Sequence, residues 1–206
     1  MRCLPVFILI DSSSSMKGEA INAVNTGISS LLKSLRTNPF ALETVNLCIL
    51  SFNTEAFIVR PYSDLMTDDC FDIEAKGKSN LGLGLDLLIS EMLLRINKTT
   101  TEIKGDWKPL VVFMTDGRPS GAWKKKLKEF HGINDGQFIV CACGVKSNLH
   151  TLESFGGSIV ILNNKSKSSI YEFFKWVSAS ILVHSQKIDQ NKSDLEIKNK
   201  FKIQLD

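Results

Sequence analysis

The sequence predicts an α/β protein with a doubly wound, mostly parallel six-stranded sheet, one antiparallel edge strand and helices on both faces. Short apolar runs alternate along the chain with longer segments in which apolar residues recur every three or four positions. Two of these runs are separated only by Asn53-Thr54-Glu55, a spacing typical of a hairpin. Two other runs lead into an aspartate, as expected at the carboxyl ends of strands in such a sheet.

The strands are assigned to the apolar runs. The first run is continuous and rich in branched residues, as in a central strand that is covered on both faces. The third run is expected to end at Pro61, because proline cannot donate a hydrogen bond to a neighbouring strand. Strands are therefore predicted at residues 4 to 10, 45 to 52, 56 to 59, 110 to 114, 138 to 143 and 158 to 162.

The helices are assigned to segments with apolar spacings of three and four. The clearest pattern opens with Ile21 and Val24 and closes at Asn38-Pro39. Residues 63 to 79 have no such period and are rich in Asp, Lys and Gly, so we expect a loop there. Helices are predicted at residues 18 to 36, 81 to 96, 121 to 130, 149 to 155 and 170 to 182.

Length and composition fit one domain with a short tail. A chain of 206 residues, 43% of them hydrophobic, can bury one substantial core. We expect this domain at residues 1 to 184, followed at residues 185 to 206 by a polar tail that is either disordered or added as an edge strand.

Charge and cysteine content bound the class of protein. The formal charge of +3 comes from 25 basic and 22 acidic residues without long blocks of one sign, so neither nucleic acid nor an anionic membrane is expected as a partner. Five cysteines without paired CxxC motifs favour reduced thiols, and no apolar run approaches the roughly 20 residues of a membrane span. We therefore expect a soluble, cytoplasmic protein.

The first aspartate opens a serine run, "LPVFILIDSSSSM", in which Asp11, Ser13 and Ser15 alternate with other residues. Such residues also cap helix starts, so this pattern alone fits a simple capping turn equally well. A second buried strand leads to Asp116 in "VVFMTDG", and the loop before the second long helix ends at Ser79. Carboxylates and hydroxyls that converge at one sheet edge favour a site for a hard cation such as Mg²⁺, which prefers about six oxygen ligands.

Three segments resemble the parts of the metal-ion-dependent adhesion site (MIDAS) of von Willebrand factor type A (VWA) domains: "LPVFILIDSSSSM", "SNLGLGLDLL" and "VFMTDG". By this resemblance Asp11, Ser13 and Ser15 match the first motif, Ser79 matches the threonine of the second, and Asp116 matches the second aspartate. The resemblance implies a VWA fold with a doubly wound, Rossmann-like sheet. It also implies a bound Mg²⁺, with Mn²⁺ or Ca²⁺ as alternatives.

The flanking segments extend the resemblance to a narrower group. "KGDWKPLVVFMTDGRPS" and "FFKWVSASI" are similar to the bacterial TerY-like proteins of tellurite-resistance and stress operons, so that the likeness covers residues 1 to 183. It implies partners of the signalling kind, namely a protein kinase and a metal-dependent (PP2C-type) protein phosphatase, in a stress or defence complex.

Two classes of function fit these residues. The first is a protein–protein interaction module without enzymatic activity, whose metal takes an Asp or Glu side chain of a partner at an open coordination position. The alternative is a Mg²⁺-dependent phosphoryl-transfer enzyme with Asp11 as the nucleophile. That chemistry usually needs a second acid two residues further on, where this chain has Ser13, so the interaction module is favoured.

Overall fold

The computed structural model describes residues 2 to 67, 71 to 116, 120, 122 to 144, 153 to 189 and 202 to 205. Its strands are β1 (Leu4–Asp11), β2 (Val45–Phe52), β3 (Ala56–Asp64), β4 (Leu110–Thr115), β5 (Gln137–Cys143), β6 (Ser158–Leu162) and β7 (Lys202–Leu205). Its α-helices are α1 (Glu19–Arg36), α2 (Pro39–Thr44), α3 (Leu81–Arg95), α4 (Trp123–Ile133) and α5 (Lys167–Asp189).

All described strands join one sheet in the order β3-β2-β1-β4-β5-β6-β7. Neighbouring strands are parallel except for β2 and β3 at one edge. The chain leaves β1 towards β2 on one side and returns to β4 on the other, so the strand order reverses between β1 and β4. The predicted doubly wound, mostly parallel sheet with an antiparallel edge is confirmed, and β7 adds a further short strand.

Helices cover both faces of the sheet. Successive side chains of a strand point to opposite faces, and accordingly Val6 and Ile8 of β1 join the core beneath α1 and α5, while Phe7 and Leu9 join the core beneath α3 and α4. Every residue of β1 is buried, which explains why its sequence is continuously apolar. In the described parts of the chain, no helix combines the length and the apolar character needed to cross a membrane.

One helix, α2, lies outside the predicted set. It begins at Pro39, and the side chain of the preceding Asn38 accepts a hydrogen bond of 3.1 Å from the backbone N–H of Ala41. Asparagine as N-cap followed by proline is a helix start signal. The same dipeptide also closes the preceding helix, since α1 ends at Arg36. Asn38-Pro39 therefore separates two helices.

The prediction that the third strand ends before Pro61 is wrong, because β3 continues through it to Asp64. The pairing with β2 shifts register between Leu47 and Ile49, which leaves extra β3 backbone in a bulge. A proline in a bulge of an edge strand needs no partner for its missing N–H. The buried Arg60 guanidinium donates to backbone carbonyls beside this bulge and fills it.

The C-terminal part of the chain extends past the predicted domain boundary at 184/185. Helix α5 continues to Asp189, and the buried Ser185 hydroxyl donates to the carbonyl of Leu182 at 2.8 Å. Strand β7 pairs in parallel with β6, which places it at the sheet edge opposite β3. The boundary itself stays a prediction, and the predicted helix at residues 149 to 155 falls mostly on residues outside those described.

Candidate metal centre

Polar side chains gather at the carboxyl end of the sheet, where the strand order reverses. Asp11 is the last residue of β1, and Asp116 directly follows Thr115, the last residue of β4. The loop that leads into α3 brings Ser79 to the same edge. Open α/β sheets bind their ligands at such a switch point, so this cluster is the candidate functional site.

The Asp11 carboxylate connects the turn after β1, the end of β4 and the loop before α3. Its Oδ1 accepts the backbone N–H of Ser13 at 2.9 Å, and its Oδ2 accepts the hydroxyls of Ser79 at 2.9 Å and Thr115 at 3.0 Å. The side chain is completely buried. Burial raises the pKa of Asp11, hydrogen bonds from Ser13 and Ser79 lower it, and the nearby Asp116 charge raises it, with a net upward shift. A bound cation would counter both effects that raise the pKa.

The serine run contains residues with two different roles. The hydroxyl oxygens of Ser13 and Ser15 lie 3.0 Å apart, so these two side chains form a hydroxyl pair. Ser12 is buried, donates its hydroxyl to the carbonyl of Phe52 at 3.1 Å and accepts the hydroxyl of Ser51 at 2.7 Å. Ser12 thus ties the end of β1 to the end of β2, which is a structural role.

The capping-turn interpretation fits Asp11, whose carboxylate accepts the backbone N–H of Ser13, but it does not fit the hydroxyl of Ser13. Ser13 precedes a single 3₁₀ turn, Ser14–Met16, yet its hydroxyl makes no capping hydrogen bond to that turn. Helix α1 begins only after Gly18, which has no side chain to cap with and adopts a φ of 87°. The hydroxyls of Ser13 and Ser15 are therefore available for another role.

Asp116 combines an ion pair with an unsatisfied oxygen. Its Oδ2 accepts a hydrogen bond from Nζ of Lys165 at 3.0 Å, and the same Nζ donates to the backbone carbonyl of Ser15 at 2.8 Å. Its Oδ1 is buried and has no hydrogen-bond partner among the described residues. Leaving a buried carboxylate oxygen unpaired is costly, so this atom is the clearest mark of a ligand-binding position.

All five predicted site residues belong to this one cluster. Asp11 contacts Ser13 and Ser79 directly, Ser13 contacts Ser15, and Ser15 is joined to Asp116 through the ammonium of Lys165. Whether they bind a metal stays a prediction.

Sequence reasoning missed two further residues of the cluster. Thr115 could have been found, because a hydroxyl residue at the end of a strand next to Asp116 is well placed to reach the neighbouring strand end. Lys165 lies in the loop between β6 and α5, and no motif in the sequence connects it with Asp116. Its position follows only from the path of that loop.

The donor set of the cluster fits a hard divalent cation. The five predicted residues supply two carboxylates and three hydroxyls, and the Thr115 hydroxyl is a fourth. Oxygen donors are what Mg²⁺ and Ca²⁺ prefer. The described residues contain no group of three His, Cys, Asp or Glu side chains suited to a metal. Zn²⁺ favours sulfur and imidazole ligands, and this donor set contains neither.

The fold and the position of the cluster define an α/β domain with a candidate ligand site at the carboxyl end of its central strands. The chain belongs to the von Willebrand factor type A domain family, whose family model matches residues 6–172. No match was found among curated proteins.

Several solved structures share this fold. The pilus adhesin SpaC from Lactobacillus rhamnosus GG has a TM-score of 0.68 at 11% identity, over 89% of this chain and 30% of the adhesin. The D319A mutant of the PilB minor pilin from Streptococcus sanguinis has a TM-score of 0.65 at 11% identity, over 93% of this chain and 64% of the pilin. A von Willebrand factor type A structure from Catenulispora acidiphila has a TM-score of 0.63 at 13% identity, over 88% and 43% of the two chains.

This chain spans less than two thirds of the length of each of these three structures. VWA domains are a fold that often mediates protein–protein interactions. At these identities the likeness to the solved structures concerns the fold alone.

Proposed function

We propose that this chain is a metal-dependent protein–protein interaction module. Asp11, Ser13, Ser15, Ser79 and Asp116 would hold a Mg²⁺ ion, with Mn²⁺ or Ca²⁺ as alternatives, in a MIDAS arrangement. The observation that carries the proposal is the buried Oδ1 of Asp116, which lacks a hydrogen-bond partner among the described residues. When bound, the ion supplies an electrophilic position for the carboxylate of a partner's Asp or Glu side chain.

The five proposed ligand residues have different roles at this site. Asp11 is fixed by three hydrogen-bond donors and contributes negative charge at a defined position. Ser13, Ser15 and Ser79 offer neutral oxygens, which keep the fixed charge of the site low so that a cation there still attracts an external carboxylate. Asp116 contributes the remaining charge and the unsatisfied oxygen.

The same contacts argue against phosphoryl transfer with Asp11 as nucleophile, and we propose that the module is not an enzyme. Both carboxylate oxygens of Asp11 already accept hydrogen bonds, and the side chain is completely buried. A nucleophile must reach its substrate, whereas a carboxylate can act on a bound Mg²⁺ through one of the waters that this ion retains. Position 13, where a second acid would be needed, is a serine.

The biological setting follows from the resemblance to TerY-like proteins. On that basis we propose that the module scaffolds a cytoplasmic bacterial complex in stress, tellurite-resistance or defence signalling, with a protein kinase and a PP2C-type phosphatase as partners. The support is the sequence likeness of the three site motifs and their flanking segments.

The test asks whether Asp116 is needed both for binding of Mg²⁺ and for Mg²⁺-dependent binding of a partner. In calorimetry the wild-type protein should bind Mg²⁺, and Asp116→Asn should lose this binding because one charged ligand becomes neutral. Partners captured from the native host and identified by mass spectrometry should be retained in Mg²⁺ and released by EDTA. The Asp116→Asn protein should capture none of them, and replacing the partner's docking Asp or Glu by Ala should abolish binding.

Asp135→Asn is the matched control, because Asp135 is an exposed residue before β5, at the opposite end of the sheet. It removes the same charge and should leave both measurements unchanged. Partner capture that is equally strong in EDTA would contradict the proposal, as would hydrolysis of phosphate esters that depends on Asp11.

A further inference from the structure

The Lys165 ammonium contacts the candidate metal centre directly, although no motif assigns it there. Its Nζ lies 3.0 Å from Oδ2 of Asp116 and 2.8 Å from the backbone carbonyl of Ser15. The Asp116 side chain is only 6% exposed, whereas the Lys165 side chain is 31% exposed. One end of this ion pair is therefore fixed in the protein interior, and the other has access to solvent.

The backbone that carries Lys165 is held by hydrogen bonds. The Asn164 side chain accepts the backbone N–H of Ser166 at 2.9 Å, which forms a tight turn around Lys165. The Glu19 carboxylate accepts the backbone N–H of Lys167 at 3.4 Å and links this loop to the start of α1. The base of the Lys165 side chain is thus anchored, so that the ammonium can leave Asp116 by rotation of the side chain alone.

The stem of Lys165 reaches the site across Gly144, the residue after β5. Gly144 has a φ of 92°, and a Cβ at this position would lie 3.6 Å from Cε of Lys165. The Gly144 N–H donates to the carbonyl of Leu162 at 2.9 Å, so the ends of β5 and β6 stay together beneath the stem. The lysine therefore follows a defined path over the sheet edge.

The ammonium and a divalent cation would depend on the same carboxylate. Lys165 engages Oδ2 of Asp116, and a cation bound to the unsatisfied Oδ1 would lie close to that ammonium. Two like charges repel strongly where protein largely excludes water. Binding of the divalent ion must therefore displace the ammonium or overcome its repulsion.

We propose that Lys165 is a tethered competitor of the metal ion, which holds Asp116 until a divalent cation displaces it and thereby sets the affinity of the site. This inference rests on the proposed function, because it concerns the same centre. Lys165 is then the residue that determines how much Mg²⁺ is needed before the module can bind its partner.

The test compares Mg²⁺ affinity in three proteins by calorimetry. Lys165→Met keeps most of the stem but removes the ammonium, and it should lower the Kd for Mg²⁺ by about tenfold relative to the wild type. Lys167→Met removes the same charge from an exposed lysine two residues away. It should change the Kd by less than about twofold, since charges separated by solvent are screened.

A second measurement reports on the ion pair itself. In EDTA, Lys165→Met should lower the melting temperature, because it leaves Asp116 buried without its counter-ion. In an Asp116→Asn background the same substitution should have little effect, because the pair is already broken. With saturating Mg²⁺, the melting temperatures of the wild-type and Lys165→Met proteins should converge.

The outcomes separate this inference from the proposed function. If the wild type binds Mg²⁺ and Lys165→Met binds it with the same Kd, the competitor role is wrong and the metal site stands. If neither protein binds a divalent cation, the proposed function fails, and this inference fails with it. Mg²⁺ binding that appears only in Lys165→Met would support the competitor role in its strongest form.

Discussion

At the scale of single residues, Asp11 determines how the site is assembled. A buried carboxylate that accepts three hydrogen bonds joins the ends of β1 and β4 to the loop before α3. Burial nevertheless raises its pKa above the ordinary value of 3.8, so its charged form is disfavoured unless a cation is near. The residue that organises the site therefore also lowers the stability of the protein without metal.

Because Asp11 organises the site but is disfavoured in its charged form, Asp11→Asn should change the free energy of unfolding in EDTA by an amount that depends on pH. The native protein binds a proton at Asp11 more tightly than the unfolded chain does, because the native pKa is raised. The stability contributed by this proton is complete below the unfolded pKa and is lost as the pH rises through the native pKa. The wild type should therefore lose stability relative to Asp11→Asn as the pH rises from the ordinary pKa of an aspartate through the raised pKa of Asp11 in the native protein.

Urea denaturation at several pH values measures this difference in the free energy of unfolding. Asn keeps the shape of the side chain, and it can still accept the N–H of Ser13 and donate to a neighbouring hydroxyl. Saturating Mg²⁺ provides the control, because a bound cation stabilises the charged carboxylate and should reverse the trend for the wild type alone. A difference that is independent of pH would contradict the argument.

The predictable part of the site consists of residues whose position follows from strand ends. Asp11, Ser13, Ser15, Ser79 and Asp116 were expected at one edge because parallel strands end there together. Thr115 ends its strand at the same edge and could have been included on that ground. The contacts of Ser12 and Lys165 could not be predicted in this way, because they depend on side-chain direction and on the route of a loop, which have no periodicity.

At the scale of elements, a close contact between α1 and α5 forms the helical layer on one face of the sheet. Gly27 of α1 faces the buried ring of Phe174 in α5. A Cβ at position 27 would lie 2.9 Å from Cγ of that ring, which is closer than carbon atoms can approach without displacement. The absence of a side chain at this position allows the two helices to pack tightly.

Gly27→Ala should therefore destabilise the fold even though alanine favours helix. We expect a loss of about 1 to 3 kcal/mol in the free energy of unfolding, because the ring or the helix must move. Gly132→Ala in α4 is the matched control, since a Cβ there meets no atom within 4 Å and the residue is exposed. That change should be neutral or stabilise the protein by up to about 1 kcal/mol.

Urea denaturation of both variants gives the comparison, and the Kd for Mg²⁺ should stay unchanged in each. Equal stability of the two variants would contradict this prediction, because it would show that α5 can move at Phe174 without loss of stability.

The contact between Gly27 and Phe174 illustrates what cannot be predicted from the sequence. The helical periodicity identifies the apolar face of α1, whereas the partner that requires a glycine on this face is 147 residues further along the chain.

The boundaries of helices and strands are likewise only partly predictable from the sequence. Continuous apolar runs predicted the central strands to within one residue, because strands covered on both faces have the simplest pattern. Pro61 misled the assignment of β3, since proline ends a strand in most contexts but is tolerated in a bulge at an edge. Asn38-Pro39 was interpreted as a helix end, although it also begins α2. Where a sequence motif is compatible with two local structures, tertiary packing decides which of them forms.

At the scale of the whole molecule, the candidate site and the C-terminal segment lie on different parts of the sheet. The proposed ligands lie at the ends of β1 and β4 and in the loop before α3, and Lys165 follows β6, whereas β7 is the outermost strand beyond β5 and β6. Strand β7 pairs with β6 through a short ladder, in which Val160 lies opposite Ile203. The affinity for Mg²⁺ should therefore not depend on β7, whereas the stability of the sheet edge at β6 should.

A chain truncated after Asp189 tests this independence. Its Kd for Mg²⁺ should stay within about twofold of the full chain, since all five site residues and Lys165 remain. Its free energy of unfolding should fall by about 1 to 3 kcal/mol, because the backbone of β6 loses the partner strand and becomes an exposed edge. Calorimetry and urea denaturation measure these two quantities on the same protein.

Truncation after His184 provides the comparison, because it also removes the last residues of α5, including the buried Ser185. It should be clearly less stable than the chain that ends at Asp189, and this order would move the end of the folded domain from residue 184 to residue 189. Equal stability of the two truncated chains would instead favour the boundary at 184/185. A tenfold change in Mg²⁺ affinity on truncation after Asp189 would contradict the independence of site and edge, and it would indicate that β7 acts through β6 on the loop that carries Lys165.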